Sequence, residues 1–478
     1  MCDNPIDELI AHFPLCYQPI VTSAHFKVFD ELFSPSFINQ DADPYLFELY
    51  RRAGCASYLK NVKVANGRGG AISFESSTDS EPRYVRQHLV DWKGLLQAHS
   101  RRLVSHIKDQ PPVVTIDVVV PSFRTPVEVL HCMVTIPDPP GASLKFIIIV
   151  DDPASPNLRD VVALQNERVR VRVNETNLGA SASRSRGLAE ACAEWVLLLD
   201  DDVLLSPACI PAYVNAIREV GKEHCGFVGT TRLPPVESIL YEATRMSDIT
   251  FFYSLPLWLE PPWGVTANLL VRRVSGLEFD TDFAKTGGGE DVDYCIRLVK
   301  TTGLPFGRVA DAVVEHDWWP APSTFKYLSR FWKWTTGDGY LNYKHPEFVY
   351  LSFPNVIELS LATLLVCPLV CSITMCAKQL AAMWLVEVLC ETSRALMATE
   401  SLHLSTGRRL CAATLSTFVK NVVDAGHTAF HIRHGRLTYI FHRFDWFLGK
   451  HGLPSEDRRK FGLRCSIWLL AAVAVAAT

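Results

Sequence analysis

The chain of 478 residues carries 48% hydrophobic and 21% charged side chains and a formal charge of −4 at pH 7. That length exceeds one hydrophobic core, so a large domain with appendages is expected, and the near-neutral charge argues against nucleic acid as the main partner. Its 14 cysteines fall singly, without a Cys-x-x-Cys pair and several inside apolar runs (Cys192, Cys367, Cys371), as in a reduced cytosolic protein rather than a disulfide or zinc framework.

The amino terminus, Met1 to Ile10, lacks the basic start and apolar core of a signal peptide, so the amino-terminal part is expected on the cytosolic side. Residues 1–111 read as an extension of unknown role, with a loop at Asn66-Gly-Arg-Gly-Gly70. From Arg83 to Lys108, Val85, Leu89, Trp92, Leu95 and Leu96 recur at helical spacing and predict an amphipathic helix that ends before Pro111-Pro112.

A β-branched run, Val113 to Val120, predicts a strand ending at Pro121, and an amphipathic stretch follows to about residue 135. Leu144 to Val150 is a second apolar strand and stops at Asp151-Asp152; Val169 to Val173 is a third. Asn177-Leu-Gly179-Ala-Ser-Ala-Ser-Arg184-Ser-Arg186-Gly187 opens a helix running to Glu194. Directly after it, the uncharged run Trp195 to Leu199 halts at Asp200-Asp201-Asp202. Strands alternating with helices predict a parallel α/β sheet, and ligands bind at the carboxyl edge of such sheets. Two acidic strand ends on one edge make a site: Asp151–Asp152 to hydrogen-bond a base or ribose, Asp200 to Asp202 to hold Mg²⁺ or Mn²⁺ on a diphosphate. Arg184 and Arg186 stand near a helix start, where phosphate is attracted.

The second half holds further candidate residues. Pro261-Pro-Trp263-Gly264 is a turn entering the strand that holds Asn268 to Arg272. Thr286-Gly-Gly-Gly289-Glu290-Asp291-Val-Asp293 is a flexible loop opening a helix. Acids complement a helix start, which accounts for Asp293; three glycines before Glu290–Asp291 are costly unless backbone must approach something. Val309 to Glu315 is a strand ending at His316, and Tyr327 to Tyr340, with Arg330 and Trp334, is aromatic and basic.

Val118-Val-Val-Pro121-Ser-Phe, Val150-Asp151-Asp152, Asn177 to Arg184 and Leu199-Asp200-Asp201-Asp202 resemble, in order and spacing, the signature of family 2 glycosyltransferases with the GT-A fold. The resemblance covers about half the chain, 112–345, and implies a mixed sheet flanked by helices and inverting transfer from a nucleotide-diphosphate sugar with Mn²⁺ or Mg²⁺. It assigns Pro121, Asp151, Asp152, Arg184, Asp200 and Asp201 to the nucleotide sugar, Asp202 and His316 to the metal, and Asp291, beside Glu290, to the general base. Trp263, Arg330 and Trp334 would serve the acceptor and the leaving diphosphate, the last two on a segment loosely similar to the Arg-Trp motif of processive synthases. Pro153-Ala-Ser155 departs from the family's usual Gly-Ser after the aspartate pair.

Residues 346–478 read as a membrane-associated helical region. Leu359 to Ala377, 19 positions without charge, match a bilayer crossing with a kink at Pro368, and Gln379 to Met397, with Glu387 and Glu391, is a second spanning or an interfacial helix. Residues 398–464 hold 11 Lys/Arg against five Asp/Glu, and the run Arg436 to Phe447 suits an anionic membrane surface. Two crossings would return this basic region to the cytosolic side with the catalytic domain. The expected partners are thus a nucleotide-sugar donor, a glycan or lipid-linked acceptor and a membrane. The rival readings are a catalytically inactive nucleotide-sugar-binding scaffold and a nucleotidyltransferase, which lacks its phosphate-gripping glycine loop here.

Overall fold

The computed structural model describes residues 28–29, 49–50, 92–109 and 113–476, apart from 236–237, 286, 320, 371, 398–403 and 451–452. Contacts divide the chain into Met1–Pro112 and Val113–Thr478. In the first unit, α1 (Trp92–Asp109) packs Leu96 against Val28, Phe29 and Leu49. Residues 83–91 of the helix expected from Arg83 lie outside the described residues.

In the second unit the predicted apolar runs become β1 (Val114–Ser122), β2 (Ala142–Val150), β3 (Val169–Val173) and β4 (Trp195–Leu199), all parallel, in the order β3-β2-β1-β4. Both faces are covered, so alternate residues enter different cores: Ile116, Val118 and Val120 pack with Leu130 and Tyr213, Val119 and Ile149 with Leu188 and Leu298. β1 runs through Pro121 to Ser122 rather than stopping before it; pairing with β4 ends at Val119, so the missing N–H falls at the open end of the ladder. Helices α2 (Val127–Val134), α3 (Leu158–Val162) and α4 (Ala180–Glu190) connect these strands. α4 ends four residues short of the expected Glu194, because Asp117 takes the N–H groups of Cys192 and Ala193 and turns the chain into β4.

Beyond β4 the sheet is mixed. β5 (Val203–Leu205), β6 (Gly226–Arg232), β7 (Asn268–Arg272) and β8 (Phe306–His316) complete the order β4-β7-β6-β8-β5, with β7 antiparallel to β4 and β6 and β5 antiparallel to β8. The mixed sheet flanked by helices is the GT-A-type architecture expected. Asp200 to Asp202 therefore form a turn between the middle of the sheet and its far edge. Helices α5 (Cys209–Val220), α6 (Ile239–Met246), α7 (Glu290–Thr302) and α8 (Thr324–Lys344) belong to the same half.

The C-terminal helices are α9 (Val356–Val370), α10 (Ile373–Met397), α11 (Thr406–Arg433) and α12 (Leu453–Ala476). The crossing expected over Leu359 to Ala377 is not one helix: the Ser372 hydroxyl accepts from Met375 N and starts α10 afresh. Among the described residues one helix, α10, is long and apolar enough to cross a membrane. Its Glu387 and Glu391 point inward: Glu391 holds Lys420 and Arg394 at 2.8 Å each and also Arg464. α11 lies against α8 through glycines, Gly426 meeting Thr335 and Gly339 meeting Phe430. Eight described cysteines are free, but Cys376 is disulfide-bonded, against the reading of a wholly reduced set.

Candidate active site

The three-residue strand β5 pairs Val203 with His316 at the end of β8. That register places Asp202 beside His316, residues 114 positions apart in sequence. One ligand atom from each of Asp200, Asp202 and His316 lies within 4.8 Å of the others. Asp202 Oδ2 accepts from Arg124 Nη2 at 2.7 Å, and its Oδ1 lies 3.4 Å from His316 Nε2; Asp200 Oδ1 accepts from Arg184 Nη2 at 2.9 Å. His316 is buried, and its Nδ1 lies 2.6 Å from the Asp317 carbonyl, which only accepts. Nδ1 therefore carries a proton, and Nε2 is the ring atom turned towards the carboxylates. Two carboxylates and an imidazole nitrogen with its other nitrogen fixed are a fitting donor set for Mn²⁺ or Mg²⁺.

Arg184 rises from α4 and bridges Asp200 to Glu290 Oε1, at 2.9 Å each. Burial opposes its charge, but the two carboxylates outweigh that and raise its pKa. Glu290 accepts with its other oxygen from Gly288 N at 2.6 Å, so both its oxygens are engaged, and of this pair Asp291 is the one left to serve the cavity. Burial first, then Glu290, push Asp291 up to about 8 despite Arg184. The preceding glycines have φ of +84° (Gly287), +119° (Gly288) and +87° (Gly289), and a Cβ on Gly337 would collide with the Gly288 carbonyl. The expected close approach is thus to the backbone of α8. Asp293 is structural: Arg297 at 2.7 Å, Lys344 and His345 at 2.9 Å surround it, and these bonds hold its carboxyl well below the usual range although burial works the other way.

Not every acidic strand end faces the site. Asp151 Oδ1 accepts from Asn174 Nδ2 (2.7 Å) and Leu178 N (2.9 Å), and Oδ2 from Gly179 N (2.8 Å), tying β2 to the loop that starts α4. Asp152 is half-buried and accepts from Ala154 N. Asp201 turns away from Asp200 and Asp202 to accept from Ser122 Oγ at 2.7 Å; burial pushes it up to about 6. Arg186 donates to the Val173 carbonyl and Asn174 Oδ1.

Residues 117–251 match the family model "Glycosyl transferase family 2". These residues are a family 2 glycosyltransferase domain. Among solved structures, the chain is similar to GalNAc-T7 with UDP, GalNAc and Mn²⁺ (14% identity, 50% of this chain and 51% of that one, TM-score 0.35). It is also similar to S. aureus TarS 1-349 with UDP (13%, 67% and 92%, TM-score 0.33) and with UDP-GlcNAc (12%, 68% and 93%, TM-score 0.34). The chain thus spans about half the length of the GalNAc-T7 structure. No curated protein matches the sequence.

The family 2 match ends at Phe251, yet the cavity beside it is built largely from later residues. It encloses about 380 Å³ and is lined by Arg184, Asp200, His316, Asp291, Trp263 and Trp334, among others. Trp263 is buried and donates to the Trp446 carbonyl at 2.8 Å; Trp334 packs edge-on against Trp319. Arg330, from the same helix as Trp334, is half-buried, and its Nη1 has no partner among the described residues. Burial and nearby Arg124 lower its pKa, while Asp202 acts the other way. Sequence reasoning missed Arg124, Tyr253, Asp338, Lys420 and Asp424. Tyr253 stacks on Trp319 and sits 6.2 Å from the His316 ring. Burial, with Asp200, Asp202 and Asp291, raises its hydroxyl well above the usual value. Only tertiary packing brings these five to the site.

Proposed function

We propose that the protein transfers a sugar, with inversion and divalent-metal dependence, from a nucleotide-diphosphate sugar to an acceptor hydroxyl. The observation that carries this reading is the convergence of Asp200, Asp202 and His316 within 4.8 Å at one side of a cavity whose wall also holds Asp291. Bound there, Mn²⁺ or Mg²⁺ supplies charge neutralisation for the diphosphate. Asp291 takes the proton of the attacking hydroxyl, and a carboxyl raised to about 8 is a competent base near neutral pH. The hydroxyl oxygen bonds to the anomeric carbon as the bond to the diphosphate breaks on the opposite side, which inverts the centre. Arg184 fixes the spacing between the ligand Asp200 and the loop bearing Asp291, and Arg330, with an unpartnered nitrogen, meets the departing diphosphate. Asp152 with Pro121 serves the nucleoside, and Asp151 and Asp201 shape its pocket from behind.

A membrane belongs to the same reading. Leu365, Leu369 and Ile373 of α9 and α10 and Leu469, Leu470 and Val473 of α12 are at least two-thirds exposed, a surface that suits lipid. The catalytic domain then faces the cytosol, and the acceptor is a glycan or is lipid-linked. The test is nucleotide-diphosphate release by detergent-solubilised full-length protein over a panel of nucleotide sugars with and without Mn²⁺, with product stereochemistry followed by NMR. Metal-dependent turnover of one donor with an inverted product is the expected result. Donor binding without turnover, with or without acceptors, establishes the scaffold reading instead.

A further inference from the structure

The far wall of the cavity holds charges that the transfer chemistry does not use. Asp338 comes from α8 and Asp424 from α11, both lining the same cavity as Asp291. Of the other charged groups lining the cavity, all but Asp291 and His316 are in ion pairs: Arg184 with Asp200 and Glu290, Asp248 with Arg394, and Lys420 with Glu391. The carboxylates of Asp338 and Asp424 have no ion pair, and no other residue hydrogen-bonds them, among the described residues. Both are half-buried, and Lys420, Arg443 and Arg464 act on Asp424 only through their charge, so the cavity is the side from which hydrogen-bond partners can come. Burial pushes Asp338 up to about 7 and raises Asp424 as well. A carboxyl poised between its two forms can accept from one hydroxyl and donate to another.

Three indoles, those of Trp263, Trp334 and Trp446, line the same space. Aromatic walls with a few convergent polar groups suit a compact amphipathic ligand with apolar faces and hydroxyl edges. The cations lining the cavity are already engaged, Lys420 by Glu391 and Arg184 by Asp200 and Glu290, so a phosphate that enters away from the metal side meets acids and no cation to pair with.

We propose that the acceptor is a neutral sugar whose ring lies among Trp263, Trp334 and Trp446 with its hydroxyls on Asp338 and Asp424, and that acceptors using a phosphate as nucleophile are excluded. This rests on the transferase reading. The acceptor hydroxyl oxygen forms the new bond to the anomeric carbon, its proton goes to Asp291, and the electron pair of the broken bond leaves with the diphosphate.

The experiment uses full-length protein in detergent with the donor found above. Octyl glycosides of common hexoses and N-acetylhexosamines are compared with a polyprenyl phosphate, and Asp338→Asn and Asp424→Asn with the wild type. Glycosides should be glycosylated and the polyprenyl phosphate should not. Each variant should raise the acceptor KM about tenfold or more, the cost of a hydrogen bond to a charged group, while the Kd of the nucleoside diphosphate moves less than about twofold. The unchanged Kd separates a lost acceptor contact from a lost fold. Transfer to the polyprenyl phosphate, or an acceptor KM unmoved in both variants, overturns the assignment. Absence of turnover with every donor and acceptor overturns the transferase reading and this one with it.

Discussion

The ends of β2 and β4 read alike in sequence, each an apolar run closed by aspartates, yet the fold uses them oppositely. Asp151 is surrounded by neutral donors of its own chain at 2.7 to 2.9 Å, bonds suited to a latch between β2 and the start of α4. Asp200 and Asp202 are half-buried, face arginines and converge on a histidine, the arrangement proposed here as a ligand set. The difference lies in the path the chain takes out of each strand. After Asp152 it turns back towards α3, whereas after Asp202 it crosses to the far edge and pairs beside His316. Carboxylates in a row thus name a site only when the next segment is placed.

The contrast can be broken by substitution. Chelation of divalent metal, or Asp202→Asn, should abolish donor turnover to below about 10⁻³ of wild type, as removing a group that stabilises transition-state charge does; residual activity above a tenth would remove Asp202 from the ligand set. Asp291→Asn should lower kcat by about 10² to 10⁴ with nucleotide affinity kept. The wild-type kcat/KM should rise with pH through about 8 as Asp291 loses its proton, and this limb should vanish in the variant.

The same group gives a stability test with a defined sign. The folded pKa of Asp291 is raised from 3.8 to about 8, so the folded state holds the proton more tightly, and the group's penalty appears as pH climbs between these values. Asp291→Asn should therefore be more stable than wild type above pH 8, with the difference fading towards pH 4. Denaturant midpoints across that range check it, and an advantage greatest at low pH would contradict it.

Gly337→Ala tests the contact between α8 and the Asp291 loop. Its Cβ would collide with the Gly288 carbonyl, and displacing the base by an ångström should lower kcat about 10²-fold, read against an unchanged circular dichroism spectrum. Smallest in chemistry is Asp151→Ala. It strands the N–H groups of Leu178 and Gly179 and should cost about 2–3 kcal/mol of stability. Yet it should move donor Kd by less than about threefold, under 1 kcal/mol; a large loss of affinity would make Asp151 a ligand rather than a latch.

Local pattern carried a good part of this account. The apolar runs at Leu144 and Trp195 form strands because five consecutive apolar residues are buried on both faces, and Gly287 to Gly289 read as a close approach because three glycines in a row are otherwise costly; their φ values are positive. What could not be read was pairing between distant segments. Val203 to Leu205 look like a continuation of β4 but cross to β8, and that register brings Asp202 beside His316, two of the proposed metal ligands. Likewise Ser372 caps a new helix inside a run whose composition alone spelled one crossing. Asp338 and Asp424 sit on helices where a charged residue reads as a solvated face, and only the packing of α11 on α8 turns them inward.

The most direct measurement is Mn²⁺ binding to full-length protein in the presence of nucleoside diphosphate, followed by the electron paramagnetic resonance of the free ion. Wild type should bind one Mn²⁺ per chain, Asp202→Asn and His316→Ala should weaken it tenfold or more, and Asp151→Asn should leave it unchanged. Equal binding in all four proteins would contradict the assignment of Asp200, Asp202 and His316 as the metal site.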